Sequence, residues 1–353
     1  MKFKKIVCMK VKGKSEILQT FIHKIQIRLE REEFVEKRYR IAGRCFQVNY
    51  HSSNLCNLMN RAIMHLQLPQ KNMQVDMMLY CVNLELLEPF YWKAFWQRDQ
   101  FINGFSKEWD DERYRMYCPT TLDRYYLFDH TQNIGYALYR NESVVPWWEQ
   151  TFPFRIILHF WSRDNSFFLI HSGAIVKSNG FGALISGPSG SGKSTTCLTL
   201  MDAGYLYLGD DYIWIEKAEQ WKVFSLYLTV KIVKNNFENN FDKYFDYVRN
   251  EKLAEGEKYV FDISQIYPER VAKEAMIETI IIPNTRLAAS QETFHDINLS
   301  KVVLSIAATT LHHLPHDRAL TYRKIVELVQ SVKCVGWNLN PDYTLNVKNF
   351  ENL

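Results

Sequence analysis

Nine consecutive residues, Gly187-Pro188-Ser189-Gly190-Ser191-Gly192-Lys193-Ser194-Thr195, constrain this chain more than any other feature. They fit the pattern GxxxxGK[ST], in which small residues let the backbone curl until successive N–H groups and the first turn of a helix point at one anion. That mechanism needs a strand before the loop and a helix after it. Phe181 to Ser186 is an apolar, β-prone run, and Ser194 to Ala203 carries helical spacing in Cys197, Leu198 and Met201, with Gly204 placed to end it. Lys193 is therefore expected on the β- and γ-phosphates of a nucleoside triphosphate and the Ser194 hydroxyl on Mg²⁺, which makes ATP and Mg²⁺ the expected cofactors.

The flanking sequence predicts an α/β fold with a P-loop-containing mixed sheet. Phe167 to Lys177 reads as a strand, Ser178-Asn179-Gly180 as a turn and Phe181 to Ser186 as the returning strand. Tyr205 to Leu208 reads as the next strand, Trp214 to Glu216 and Val223 to Ile232 as a hairpin, Thr279 to Ile282 as a strand ending at Pro283, and Thr321 to Val332 as a helix. Three regions follow: a charged N-terminal extension over 1–40, an aromatic-rich α+β region over 41–150, and a catalytic domain over 151–353. The first has helical spacing in Ile17, Phe21, Ile22, Ile25 and Leu29, and six lysines at 2, 4, 5, 10, 12 and 14 that read as a solvated tail. The second has strand-like runs at Cys45 to Tyr50 and Val75 to Val82 around a helical stretch at Leu55 to Leu68. Its aromatics read first as core and second as a groove for an acceptor.

Composition excludes several function classes. A net charge of +4 over 353 residues gives no reason to expect a nucleic-acid partner. No run approaches the ~18 apolar residues of a membrane span, and no secretory signal is legible, so a cytoplasmic protein without membrane association is expected. The seven cysteines (Cys8, Cys45, Cys56, Cys81, Cys118, Cys197 and Cys334) form no CxxC pair, which fits reduced thiols and neither zinc nor a disulfide frame.

The loop serves many chemistries, and its neighbours narrow them. The LSGGQ signature of transport ATPases and the Asn-Lys-x-Asp base reader of guanine switches are missing, and guanylate kinases carry a similar loop at the start of the chain rather than past its midpoint. Asp210 and Asp211, by contrast, end the strand after the loop helix. In an open α/β sheet such strand ends gather at the ligand crevice, where one carboxylate is able to take Mg²⁺ and the other the proton of an attacking hydroxyl.

At these residues the sequence resembles the HPr kinase/phosphorylase superfamily, with His171-Ser172-Gly173-Ala174-Ile175 before the loop and Leu208-Gly209-Asp210-Asp211 after it. The resemblance implies Asp210 as catalytic base, His171 as its electrostatic partner, Lys193 as phosphate clamp, and Ser194 with Asp211 on the metal side. The family's downstream Glu-Ile-Arg-Gly signature is absent. In its place stands Ser225-Leu226-Tyr227-Leu228-Thr229-Val230-Lys231, similar to the HPr-kinase-like proteins of peptide-modification clusters, among them lasso-peptide kinases. Lys231 reads first as a solvated strand lysine and second as a phosphate contact. The expected function is a Mg-ATP-dependent kinase acting on a hydroxyl, with a serine of a peptide or small protein as the expected acceptor. The alternative is a nucleotide-binding switch or assembly module without transfer, and a homo-oligomer is compatible with either.

Overall fold

The computed structural model describes residues 14–69, 73–87, 111–119, 121, 123–253, 256–285 and 292–353. Lys2, Lys4, Lys5, Lys10, Lys12 and Cys8 lie outside them, as do the side chains of Lys14 and Ile17. Helix α1 (Lys14–Leu29) occupies the end of the expected extension. It buries Leu18, Phe21, Ile22, Ile25 and Leu29 on one stripe against Tyr114, Met116, Tyr125 and Tyr136, the three-and-four spacing of a helix that faces a core.

That core belongs to a six-stranded sheet. Its strands are β1 (Val35–Ile41), β2 (Arg44–Tyr50), β3 (Met77–Asn83), β4 (Tyr114–Tyr117), β5 (Arg124–Asp129) and β6 (Ile134–Tyr139), in the order β1-β2-β3-β6-β5-β4. The expected strand at Cys45 to Tyr50 is β2 and that at Val75 to Val82 is β3. Helix α2 (Ser53–Asn60) starts where the Ser52 hydroxyl oxygen accepts from the Leu55 amide at 3.1 Å. The predicted helix over Leu55 to Leu68 does not continue as α: it tightens to a 3₁₀ segment at Arg61–Leu66, which keeps Ala62 and Ile63 in the core. Two short helices, α3 (Trp147–Thr151) and α4 (Arg155–Trp161), lead onward.

A second, nine-stranded sheet follows. Strands β7 (Phe167–Ile170), β8 (Ser172–Val176) and β9 (Gly182–Ser186) precede helix α5 (Lys193–Asp202), and β10 (Leu206–Gly209), β11 (Ile213–Lys217) and β12 (Trp221–Phe224) come after it. Then come β13 (Thr229–Val233), α6 (Lys234–Asn240), β14 (Lys258–Asp262), α7 (Ile263–Ile266), β15 (Glu274–Asn284) and β16 (Phe294–Asp296). Helices α8 (Leu299–His313) and α9 (Arg318–Ser331), strand β17 (Lys333–Asn338) and α10 (Tyr343–Phe350) complete the chain. The fold is α/β with mixed sheets.

Two expected strands are each divided. The run from Phe167 to Lys177 breaks at His171, so that β7 pairs β11 while β8 pairs β9 and β10. Val223 to Ile232 breaks after Phe224, where the Ser225 amide donates to Lys273 O, and β13 pairs with β14 in a separate two-stranded ladder. Leu226, Tyr227 and Leu228 are buried across the break. A continuous apolar run therefore hides it from any alternation pattern.

Strands β9, β15 and β17 run parallel. Strand β8 is antiparallel to both β9 and β10, so β10 runs with β9. The carboxyl ends of all four strands, at Ser186, Gly209, Asn284 and Asn338, consequently open on one edge, the usual place for a ligand crevice. Both faces of this sheet are covered. Ala183, Ile185 and Ile281 pack with Cys197, Leu198 and Met201 of α5, whereas Leu184 and Ile280 pack with Val302, Ile306 and Ile325 of α8 and α9. A further core cluster joins Tyr50, Tyr126 and Tyr139 to Phe152, Tyr212, Trp214 and Tyr227, and so takes side chains from both sides of residue 150. Among the described residues, no helix is long and apolar enough to cross a membrane, and no disulfide forms: Cys45, Cys56, Cys81, Cys118, Cys197 and Cys334 are free.

Candidate active site

The glycine loop turns between β9 and α5 through three positive φ angles, 155° at Gly187, 79° at Gly190 and 96° at Gly192. A Cβ at Gly187 would lie 2.7 Å from Ser191 Oγ, and one at Gly192 would meet Leu339 Cδ1 at 3.0 Å. Glycine is thus required by both dihedral and space. Lys193 opens α5, and its ammonium donates to Gly187 O at 2.9 Å and Pro188 O at 3.0 Å. Burial pulls the Lys193 pKa down, against the opposing pull of Asp210 and Asp211.

The two aspartates differ in surroundings. Asp210 is wholly buried, its Oδ1 accepts from the Asp211 amide at 2.9 Å, and its Oδ2 is buried without a hydrogen-bond partner. Burial and the charge of Asp211 push its pKa up to about 6, with the Ser194 hydroxyl and Lys193 pulling the other way. Asp211 takes the left-handed conformation at φ 63°, one that aspartate tolerates better than most residues. This turns its carboxylate into the cleft. Oδ1 lies 3.2 Å from His171 Nε2 and Oδ2 lies 2.6 Å from Lys231 Nζ. Burial raises the Asp211 pKa, but Lys231 and His171 outweigh it and hold the carboxyl well below the usual range.

Strand pairing explains this meeting. Ile170 at the end of β7 is in register with Ile213 at the start of β11. The residue after the first, His171, therefore stands beside the residues before the second, Asp211 and Tyr212. The His171 ring packs edge-on to Tyr212 at 5.3 Å and tilted against His313 at 5.7 Å, and its amide donates to Thr310 Oγ1 at 3.0 Å. The expected pairing of His171 with Asp210 is not found: His171 pairs with Asp211. Nor is Lys231 a solvated strand lysine. It is 14% exposed, bound to Asp211, with its ammonium 4.2 Å from the centre of the Phe152 ring.

A cleft of about 630 Å³ joins these parts, lined by His171, Gly190, Lys193, Ser194, Asp211 and Lys231 at one side and by Asn236, Trp337, Leu339 and Tyr343 at another. Asp210 does not line it. Asn236 ties the walls together, donating to Thr195 Oγ1 and accepting from Tyr343 Oη, both at 2.8 Å. His313 also lines the cleft, and burial, with His171 and Arg155 nearby, pushes its pKa down to about 4. Sequence reasoning missed Asn236, His313 and Tyr343. The His312-His313 pair at the end of a helical run was the one available signal. Among the described residues no cluster of His, Cys, Asp and Glu forms a ready metal cage.

No family model matches the chain, and no curated protein matches it in sequence. Among solved structures it is similar to one described as the Hpr(Ser) kinase/phosphatase from Coxiella burnetii, at 13% identity over 52% of this chain and 86% of that chain. The TM-score is 0.31, and a likeness at that level assigns neither activity nor substrate here.

Proposed function

We propose that this protein is a Mg-ATP-dependent kinase that transfers the γ-phosphoryl group to a hydroxyl, a serine of a peptide or small protein. One observation supports transfer over mere binding: a cleft-facing carboxylate, Asp211, is held between His171 and Lys231 on the same edge as the glycine loop. Binding phosphate needs no such group, whereas removing a proton from an attacking hydroxyl does.

The loop amides and the start of α5 would cradle the phosphates, with Lys193 leaving Gly187 O and Pro188 O to clamp them. Ser194 and Asp210 would hold Mg²⁺. The fit rests on Asp210 Oδ2, a buried oxygen without a hydrogen-bond partner, and on the Ser194 hydroxyl, which acts on the same carboxyl and lowers its pKa. Mg-ATP, when bound, supplies the phosphoryl group and the charge that draws both lysines. Lys231 would then turn from Asp211 Oδ2 and leave it free to accept the hydroxyl proton, while His171 would keep Oδ1 and fix the carboxylate's direction. The roles of the two aspartates are thereby exchanged relative to the order the sequence suggested: Asp211 is the base and Asp210 the metal-side carboxylate.

Incubation with γ-labelled ATP, Mg²⁺ and the peptides encoded beside its gene tests this reading. Label on serine supports it. Tight ATP binding with no label on any acceptor would favour a nucleotide-binding switch.

A further inference from the structure

Six of the nine tryptophans lie among the described residues, and four of those, Trp161, Trp214, Trp221 and Trp337, are buried. Trp147 and Trp148 are 41% and 38% exposed, side by side, with ring centres 5.9 Å apart. Tryptophan is a costly side chain to leave in water, and paired exposed aromatics mark sites where something else packs. The local structure turns them outward. Pro146 sets the entry to the short helix α3, Glu149 and Thr151 bury the opposite side, and Thr151 Oγ1 donates to Trp148 O at 2.9 Å.

Their position is tied to the site. Lys231 Nζ lies 5.6 Å from the centre of the Trp147 ring and 2.6 Å from Asp211 Oδ2. The indole is therefore one ammonium group away from the proposed base. Lys231 is paired with Asp211 here and with nucleotide phosphate in the proposed mechanism, so its charge is met in both states and the indoles present an apolar surface to an acceptor. An extended peptide advances ~3.3 Å per residue. A side chain one to three positions from a serine held at Asp211 reaches the indole pair.

From this juxtaposition we propose that Trp147 and Trp148 form the acceptor-recognition platform of the kinase, selecting a peptide with an aromatic or large aliphatic residue within three positions of the phosphorylated serine. The inference rests on the kinase reading and names its substrate class. It also places acceptor recognition on the segment whose Trp147 ring lies beside Lys231.

The test is a positional-scanning peptide library with a central serine, phosphorylated with γ-labelled ATP by the full chain. The wild type is expected to favour Phe, Tyr, Trp, Leu or Ile at one or two positions near the serine by about tenfold, the scale of one well-packed aromatic contact. Trp147→Ala with Trp148→Ala is expected to flatten that selection while the ATP dissociation constant stays within twofold. Trp147→Phe, which keeps an aromatic surface, is expected to restore most of it. Apolar selection that persists undiminished in the double alanine variant would overturn the platform while leaving the kinase standing. So would a loss of the platform that altered only oligomeric state in sedimentation, since the pair would then serve a second copy of the chain. Absence of label in every pool would overturn the kinase reading and the platform with it.

Discussion

Asp211 Oδ2 lies 2.6 Å from Lys231 Nζ, so the carboxylate that faces the cleft is neutralised by a cation from a different sheet. This pair has both a structural and a functional consequence. It offsets the cost of burying the Asp211 carboxylate, and in the proposed mechanism it occupies Oδ2 until Lys231 turns to the phosphates.

Lys231→Met is expected to destabilise the protein by about 3 kcal/mol at pH 7, the scale of leaving a buried charge without its partner. The sign of the pH dependence follows from Asp211, whose pKa is held down in the folded state. A depressed carboxyl contributes stability above its unfolded pKa of ~3.9 and loses that contribution as pH falls through its folded value. The gap between wild type and variant should thus be widest at neutral pH, be narrower by about pH 4, and close only as pH falls through the depressed folded value. Urea unfolding at pH 7 and pH 3.5 checks this, and an equal gap at both would remove the pair from the account.

Lys193→Ala should weaken Mg-ATP binding by about 10- to 150-fold, equivalent to ~1.5 to 3 kcal/mol for a charge-assisted contact. In the free protein the variant loses two bonds to loop carbonyls and the attraction of Lys193 for Asp210 and Asp211, so a urea melt of the variant accompanies the binding measurement. Calorimetry showing equal affinity would exclude Lys193 from the phosphate site.

Asp210 has its pKa pushed up to about 6, and a metal ligand must be ionised. The Mg²⁺ dependence of ATP affinity should be flat above that value and decline by roughly tenfold per pH unit below it. Asp210→Asn should raise the Mg²⁺ concentration required at pH 7.5 and abolish the pH dependence between 5 and 7. The same substitution should make the fold more stable at pH 7. A carboxyl with a raised folded pKa favours folding below its unfolded pKa, and that advantage is lost as pH rises through about 6. Magnesium titrations at pH 5.5 and 7.5 with both proteins measure the first effect, and thermal melts measure the second.

Gly192→Ala meets both a φ of 96° and Leu339 Cδ1 at 3.0 Å. It should weaken ATP binding by at least tenfold through displacement of the first turn of α5, while Gly180→Ala, in an open turn with nothing within 4 Å, should leave binding unchanged. Titration of both variants with ATP separates a loop requirement from a general cost of replacing glycine.

The glycine loop, its strand and its helix were legible because local spacing alone specifies them. The aspartate step was legible through its place one strand further on. What the sequence left hidden came from tertiary register. His171 reads as part of one long apolar run, and only the pairing of Ile170 with Ile213 separates β7 from β8 and sets the ring beside Asp211. Lys231 has no local mark distinguishing it from a solvated strand lysine. Its role arises because β13 leaves the main sheet to pair with β14. Asn236 and Tyr343 stand 107 positions apart and meet in one hydrogen bond, a relation that no spacing within a single segment expresses.

Single-turnover transfer from γ-labelled ATP to the serine peptide library, with saturating Mg²⁺ and nucleotide, tests the central claim most directly. Wild type and Asp211→Asn are compared, since asparagine keeps the size of the side chain but takes no proton. Labelling is predicted to fall by about 10² to 10⁴-fold in Asp211→Asn with ATP affinity nearly intact, while Asp210→Asn recovers towards the wild-type rate as Mg²⁺ is raised. A wild-type rate in Asp211→Asn, with the loss appearing in Asp210→Asn at every Mg²⁺ concentration, would contradict the assignment of Asp211 as base.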